Sequence, residues 1–96
     1  MKVYEGARGL DGAVVTVDGK PLSPRRDLKP LSKAGFEWTY EGAAPAQLAL
    51  ALLAEHLGDD RAALAQYERF MRAVVARLDN AWRLTAVDID RALADG

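Results

Sequence analysis

The stretch PAQLALALLAEHL, from Pro45 to Leu57, constrains the fold of this chain more than any other segment. At helical spacing its leucines fall on two nearly opposite faces. These faces carry Leu50, Leu53 and Leu57 on one side and Leu48 and Leu52 on the other. A helix that is apolar nearly all round is buried on several sides or covered by a partner chain. The sequence therefore predicts a central helix over residues 45–57, with Pro45 as a favourable first residue and Gly58 as its stop.

Strand signals precede this helix. Val3-Tyr4 and the β-branched segment 13–17 predict an N-terminal hairpin, and Asp18-Gly19 is typical of a tight hairpin turn. Segment 36–40 alternates aromatic and polar residues, which predicts a half-buried strand. Its inward face, packed beneath the central helix, would consist of Phe36, Trp38 and Tyr40.

Two further helices are predicted after Gly58. Asp59 and Asp60 can cap a strongly amphipathic helix over residues 60–78. The segment 82–84 predicts a short strand or an extended link, and Thr85 to Asp88 resembles a capping box that opens a last helix over residues 86–94. The fold class is therefore α+β: one compact domain over residues 1–96, in which an antiparallel sheet (the N-terminal hairpin plus strand 36–40) is packed by helices at about 45–57, 60–78 and 86–94.

Composition excludes several classes of function. The chain has no cysteine, so disulfide scaffolds, thiolate zinc sites and thiol nucleophiles are excluded, and a reducing cytoplasm is the expected location. With a single histidine, His56, no nucleophile, base and orienting group can be assembled, and an enzyme is not predicted. No cofactor or metal site is predicted. The longest apolar run, residues 48–54, is too short to cross a membrane.

Basic residues concentrate in two segments, although the net charge is only -1. The loop that follows Pro24 and the outer face of the 60–78 helix could together contact nucleic-acid phosphates. The alternative is a solvated surface whose basic groups pair with the acidic residues of segment 34–60. The candidate nucleic-acid-binding residues are Arg25, Arg26, Lys29, Arg69 and Arg72.

The turn into the central helix is a candidate site for a small anion or another ligand, because a helix N-terminus favours negative charge. Against this, Pro45 contributes no N–H group and Glu41 repels a nearby phosphate; a turn kept small for packing is the alternative. Gln47, a lone amide in so apolar a helix, would bond the backbone or line a pocket. The candidate ligand-binding residues are Tyr40, Glu41, Gly42 and Gln47.

A third candidate is a partner surface formed by Leu48 and Leu52. If the sheet and the second helix cover the other faces of the central helix, this strip would contact a second copy of the chain or another protein. Complete burial within the monomer is the alternative.

The segment GFEWTYEGAAPAQLALALL, residues 35–53, resembles an uncharacterised family of small bacterial and phage proteins, a domain of unknown function. The shared core reads G-F-E-W-x-Y-x-G-x-x-P-A-Q-L-A-L-A-L-L, and the likeness covers most of the chain. The resemblance implies a compact, cytoplasmic single domain, sometimes carried by phages and mobile elements, and supplies no activity or site residues. Similar members have more glycine at the junction, where this chain has Thr39, Ala43 and Ala44.

The favoured interpretation is a small, non-enzymatic protein–protein interaction or accessory protein that binds itself, as a homodimer, or another protein. A nucleic-acid-associated accessory protein and a small anion or ligand binder are the alternatives.

Overall fold

The chain folds into a four-stranded antiparallel sheet packed by three helices, which confirms the α+β class. We describe it from a computed structural model that covers residues 1–10 and 12–95. The strands are β1 (Val3–Gly9), β2 (Gly12–Val17), β3 (Lys20–Pro21) and β4 (Trp82–Thr85). The helices are α1 (Ala43–Leu57), α2 (Asp60–Ala73) and α3 (Ala86–Asp95), with a short 3-10 helix at Val75–Arg77.

The strand order is β3-β2-β1-β4. Asp18 and Gly19 join β2 to β3 with φ angles of 51° and 83°, as a tight hairpin turn requires. Pro21 has no N–H group, so β3 stays a two-residue edge strand. The segment predicted as a short strand or a link is β4, which pairs with β1 and places Trp82 opposite Gly6.

The helices begin and end at recognisable signals. Gly58 ends α1 in the left-handed conformation, with φ 62°, and the Asp59 side chain caps α2 by accepting a hydrogen bond from the Ala62 N–H at 3.1 Å. The prediction that the second helix continues to residue 78 was wrong. It ends at Ala73 because two consecutive β-branched residues follow, and because the buried Val75 turns its carbonyl towards the Thr39 N–H, at 3.2 Å.

The predicted strand over residues 36–40 was also wrong: the segment is irregular. Its aromatic residues do not share an inward face, since Trp38 is fully buried whereas Tyr40 is 49% exposed. The Trp38 carbonyl accepts a hydrogen bond from the Arg8 guanidinium at 2.8 Å, and not from a neighbouring strand. Thr39 then takes a φ of 81°, which ends the extended conformation.

Helix α1 forms the centre of the core. Residues 45–54 are all buried within the monomer, so the helix is buried on several sides, the first of the two predicted alternatives. It begins at Ala43, two residues before the predicted start, so Pro45 is the third helical residue. Within residues 1–10 and 12–95, no helix has the length and apolarity needed to cross a membrane.

Candidate functional site

Gln47 is fully buried, and all of its hydrogen bonds go to the backbone of the preceding loop. Its Oε1 accepts from the N–H groups of Leu31 at 2.7 Å and Ser32 at 3.0 Å. Its Nε2 donates to the carbonyls of Pro24 at 2.7 Å and Lys29 at 3.1 Å. The amide therefore bonds the backbone, one of the two roles considered for it, and holds the loop against α1.

The side chains of Tyr40 and Glu41 lie at the surface, whereas Gln47 is buried in the core. The exposed Tyr40 ring lies over Gly42, so that a Cβ atom at this glycine would be 3.0 Å from the ring. Glu41 is exposed and its carboxylate lies 3.7 Å from the Arg72 guanidinium. These contacts are typical of a turn kept small for packing, the alternative to a ligand site.

Leu48 and Leu52 do not form a surface, because both are completely buried within the monomer. The expected partner strip on α1 is therefore wrong. The reason is that the loop over residues 22–38 and the sheet cover the sides of α1 that α2 leaves open, and Leu22 and Trp38 belong to the same buried cluster.

The basic loop is engaged in contacts within the chain. Arg25 donates to Asp27 at 3.1 Å and to Asp60 at 3.2 Å, and the hydrogen bond with Asp27 is the main reason that the pKa of Arg25 is raised. Arg26 donates to the Ser32 carbonyl at 2.9 Å. The Lys29 ammonium lies 5.7 Å from the centre of the Tyr67 ring.

The two arginines of α2 are also engaged. Arg69 donates to Gln66 at 3.1 Å and to the Leu93 carbonyl of α3 at 3.4 Å. Arg72 donates to Glu68 at 3.4 Å. Arg25 contacts the first residue of α2 and Arg72 lies in its last turn, about 18 Å further along the helix axis. The basic groups are therefore spread along the helix, and Arg25 and Arg72 pair with carboxylates, which argues against a single phosphate-binding set.

The acidic groups near the turn and helix α1 have cationic partners as well. Glu37 accepts from Arg8 at 2.7 Å, and Glu55 accepts from Lys2 at 2.5 Å. His56 lies 2.6 Å from Asp90 of α3, which ties the last turn of α1 to that helix. Among the described residues, no group of three histidine or acidic side chains is placed to hold a metal ion.

Arg8 is a site residue that sequence reasoning missed. Its guanidinium lies 4.7 Å from the centre of the Trp38 ring, and it donates to Glu37 and, at 2.5 Å, to Asn80. It therefore ties β1 to the irregular segment 36–40 and to the segment before β4. No sequence signal could have found it, because its partners are 29 to 72 residues away along the chain.

The clearest exposed feature is the face of the sheet that points away from the helices, which we call the outer sheet face. The strand registers place eight side chains on it. They are Val3, Glu5, Ala7, Val14, Thr16, Pro21, Arg83 and Thr85. Solvated faces of antiparallel sheets usually carry polar side chains. Here only Glu5 and Arg83 are charged, and Val14 is 56% exposed.

An open trough with a volume of about 360 Å³ runs across this face. Its lining includes the small side chains of Ala7 and Ala81, together with Val14 and Thr16. A second cavity of about 270 Å³ lies between Lys2, Arg25 and the end of α1. Its cations already pair with Glu55 and Asp60, so its polar wall is neutral within the chain.

Comparison with protein families shows where the chain belongs. The model of a family of unknown function (DUF6166) matches residues 4–95, and the chain is therefore a member of this family. Neither a comparison with curated proteins nor a comparison with solved structures finds a match to this chain.

Proposed function

We propose that this member of DUF6166 is a non-enzymatic protein–protein interaction domain that binds its partner through the outer sheet face. The observation that carries the proposal is an exposed sheet face with few charges, on which four of the eight side chains are apolar (Val3, Ala7, Val14 and Pro21) and two are charged. Exposed apolar patches on small soluble domains mark interaction sites more often than chance. The polar groups that could serve chemistry, above all Gln47 and Arg8, are instead occupied in holding loops to the core.

The edges of the sheet support binding through the face. At one edge, β3 is short and contains Pro21, which cannot donate a backbone hydrogen bond. At the other edge, β4 has only four residues, and a short edge strand offers few backbone groups for pairing. Addition of a partner strand at either edge is therefore disfavoured, and the face remains as the accessible surface. We place this activity in the cytoplasm, in keeping with a chain that contains no cysteine.

The test is site-specific photo-crosslinking in the native host. A photo-reactive amino acid replaces Ala7 on the outer sheet face, and the control replaces Val87, which is 48% exposed on α3. A discrete adduct from position 7 that is not formed from position 87 is expected. The proposal is wrong if position 7 gives no adduct, or if both positions give the same one.

A further inference from the structure

The two charges on the outer sheet face indicate what kind of partner fits it. Glu5 of β1 and Arg83 of β4 are cross-strand neighbours, so their Cβ atoms are about 5 Å apart on the same face. In the part of the chain that the structure describes, neither side chain forms an ion pair. Among the eight side chains of the outer sheet face, a partner therefore meets one acidic and one basic group side by side.

We infer that the partner is a second copy of this chain, packed sheet against sheet about a two-fold axis; this rests on the proposed function of the outer sheet face. The two-fold axis lies midway between the two sheets and runs parallel to the strands, above the line between β1 and β4. Rotation about this axis places Glu5 of each copy over Arg83 of the other. The interface is isologous, so the ion pair forms twice. An unrelated partner would have to supply the same two charges in the opposite order.

The shape of the face allows this packing. Aligned sheets pack about 10 Å apart, and the small side chains of Ala7 and Ala81 leave room for a facing sheet. Val3 and Thr85, which are paired on the two overlapping strands, extend the contact away from the charges. The interface would thus have an uncharged surface of small and β-branched side chains around two reciprocal ion pairs.

Charge reversal tests the inference directly. In Glu5→Arg the facing groups are both basic, and in Arg83→Glu they are both acidic, so each variant alone is expected to be monomeric by sedimentation velocity. An equimolar mixture of the two is expected to form a heterodimer, because each Arg then faces a Glu. Arg61→Glu on the exposed surface of α2 makes the same change in net charge as Arg83→Glu and is expected to remain dimeric.

If circular dichroism shows that charge reversal disturbs folding, the neutral variants Glu5→Gln and Arg83→Gln replace the charge-reversal variants in the same experiment. Each is expected to raise the dimer Kd about tenfold, since each removes both pairs. A wild-type chain that stays monomeric, variants that stay dimeric, or a mixture that fails to associate would each overturn the inference. If the wild type is monomeric but position 7 still crosslinks to a different protein in the host, the proposed function stands and only the identity of the partner is wrong.

Discussion

At Gly6 the indole of Trp82 lies directly against the backbone of the sheet. A Cβ atom at this position would lie 2.4 to 2.6 Å from three atoms of the Trp82 indole. The indole also packs nearly at right angles to the ring of the fully buried Trp38, with ring centres 5.6 Å apart. A methyl group at Gly6 would therefore push the Trp82 ring against a packed neighbour.

We expect Gly6→Ala to lower the free energy of unfolding by about 1–3 kcal/mol, because the added methyl group overpacks the indole. Urea denaturation followed by tryptophan fluorescence measures this change. Gly9→Ala on the same strand is the matched control, since no atom lies within 4 Å of its Cβ position. Equal stability of the two variants would contradict the packing described for Trp82.

Thr39 is held in a conformation that suits glycine, with φ at 81°. A left-handed backbone costs an L-residue about 1–2 kcal/mol. Thr39→Gly and Thr39→Ala both remove the hydroxyl that contacts Arg8 and Trp38, but only glycine relieves the backbone. We expect the glycine variant to be more stable than the alanine variant by about 1 kcal/mol in thermal unfolding. The reverse order would show that the backbone at Thr39 is not strained.

At the level of elements, Gln47 fastens the loop over residues 24–32 to α1. Gln47→Leu keeps the size of the side chain but removes four hydrogen bonds to the loop. The Leu31 N–H still donates to the Lys29 carbonyl at 3.1 Å, whereas the Ser32 N–H and the Pro24 carbonyl lose their partner among the described residues. We expect the free energy of unfolding to fall by about 2–4 kcal/mol, because each buried, unpaired backbone group costs about 1–3 kcal/mol. Amide hydrogen exchange at Leu31 and Ser32 should rise together with this loss.

Gln66→Leu is the control for this prediction. Gln66 lies on α2 and accepts one hydrogen bond, from Arg69, so its replacement should change stability by less than about 1 kcal/mol. Equal changes in the free energy of unfolding for Gln47→Leu and Gln66→Leu would show that Gln47 does not hold the loop against α1.

The start of α3 depends on a reciprocal pair of hydrogen bonds that the sequence predicted. The Thr85 N–H donates to Asp88 at 2.9 Å, and the Asp88 N–H donates to the Thr85 hydroxyl at 3.2 Å. The bond from the Thr85 N–H is the main reason that the pKa of Asp88 is lowered from 3.8, and the hydroxyl of Thr85 adds to it. The capping box is therefore strongest when Asp88 is ionised.

A carboxyl with a lowered pKa stabilises the fold above its unfolded pKa, and this contribution is lost as the pH falls through the folded value. We expect the stability of the wild type to decrease more steeply below pH 3.8 than that of Asp88→Asn, which does not titrate. Chemical denaturation at a series of acidic pH values measures the difference. Asp95→Asn, at the opposite end of α3, should keep the wild-type slope.

At the level of the whole molecule, Tyr4 makes folding sensitive to alkali. Its side chain is fully buried, its hydroxyl has no partner among the described residues, and burial raises its pKa from 10.0 to about 12. The nearby carboxylates of Glu55 and Asp18 add to the effect. Because the pKa is raised on folding, this contribution to stability is complete below pH 10 and is lost as the pH rises towards 12.

Between pH 10 and pH 12 we expect the free energy of unfolding of Tyr4→Phe to fall less than that of the wild type. The difference should reach roughly 2 kcal/mol at about pH 12. Urea unfolding at a series of alkaline pH values measures this difference. Tyr40→Phe removes a half-exposed phenol and serves as the control. An identical alkaline slope for Tyr4→Phe and the wild type would mean that Tyr4 ionises without unfolding the chain.

The sequence predicted the elements whose signals are local. The periodicity of α1, the Asp18-Gly19 turn and the Thr85–Asp88 capping box each depend on residues within a few positions of one another. The strand predicted over residues 36–40 failed because its aromatic alternation is used in a long-range contact, in which Trp38 packs on Trp82 and bonds Arg8. The outer sheet face was not among the predicted sites for the same reason. Glu5 and Arg83 are far apart in sequence, and only the strand register shows that they are neighbours.

The position of β1 between β2 and β4 has a consequence for synthesis of the chain. β1 and β2 leave the ribosome together, but β4 is made only after both α1 and α2. At about 5 to 20 residues per second, one edge of the nascent hairpin stays open for several seconds, during which the most apolar helix of the chain emerges before α2 can pack against it. We expect the nascent chain to be most prone to aggregation in this interval, at the open edge of β1 and the uncovered side of α1.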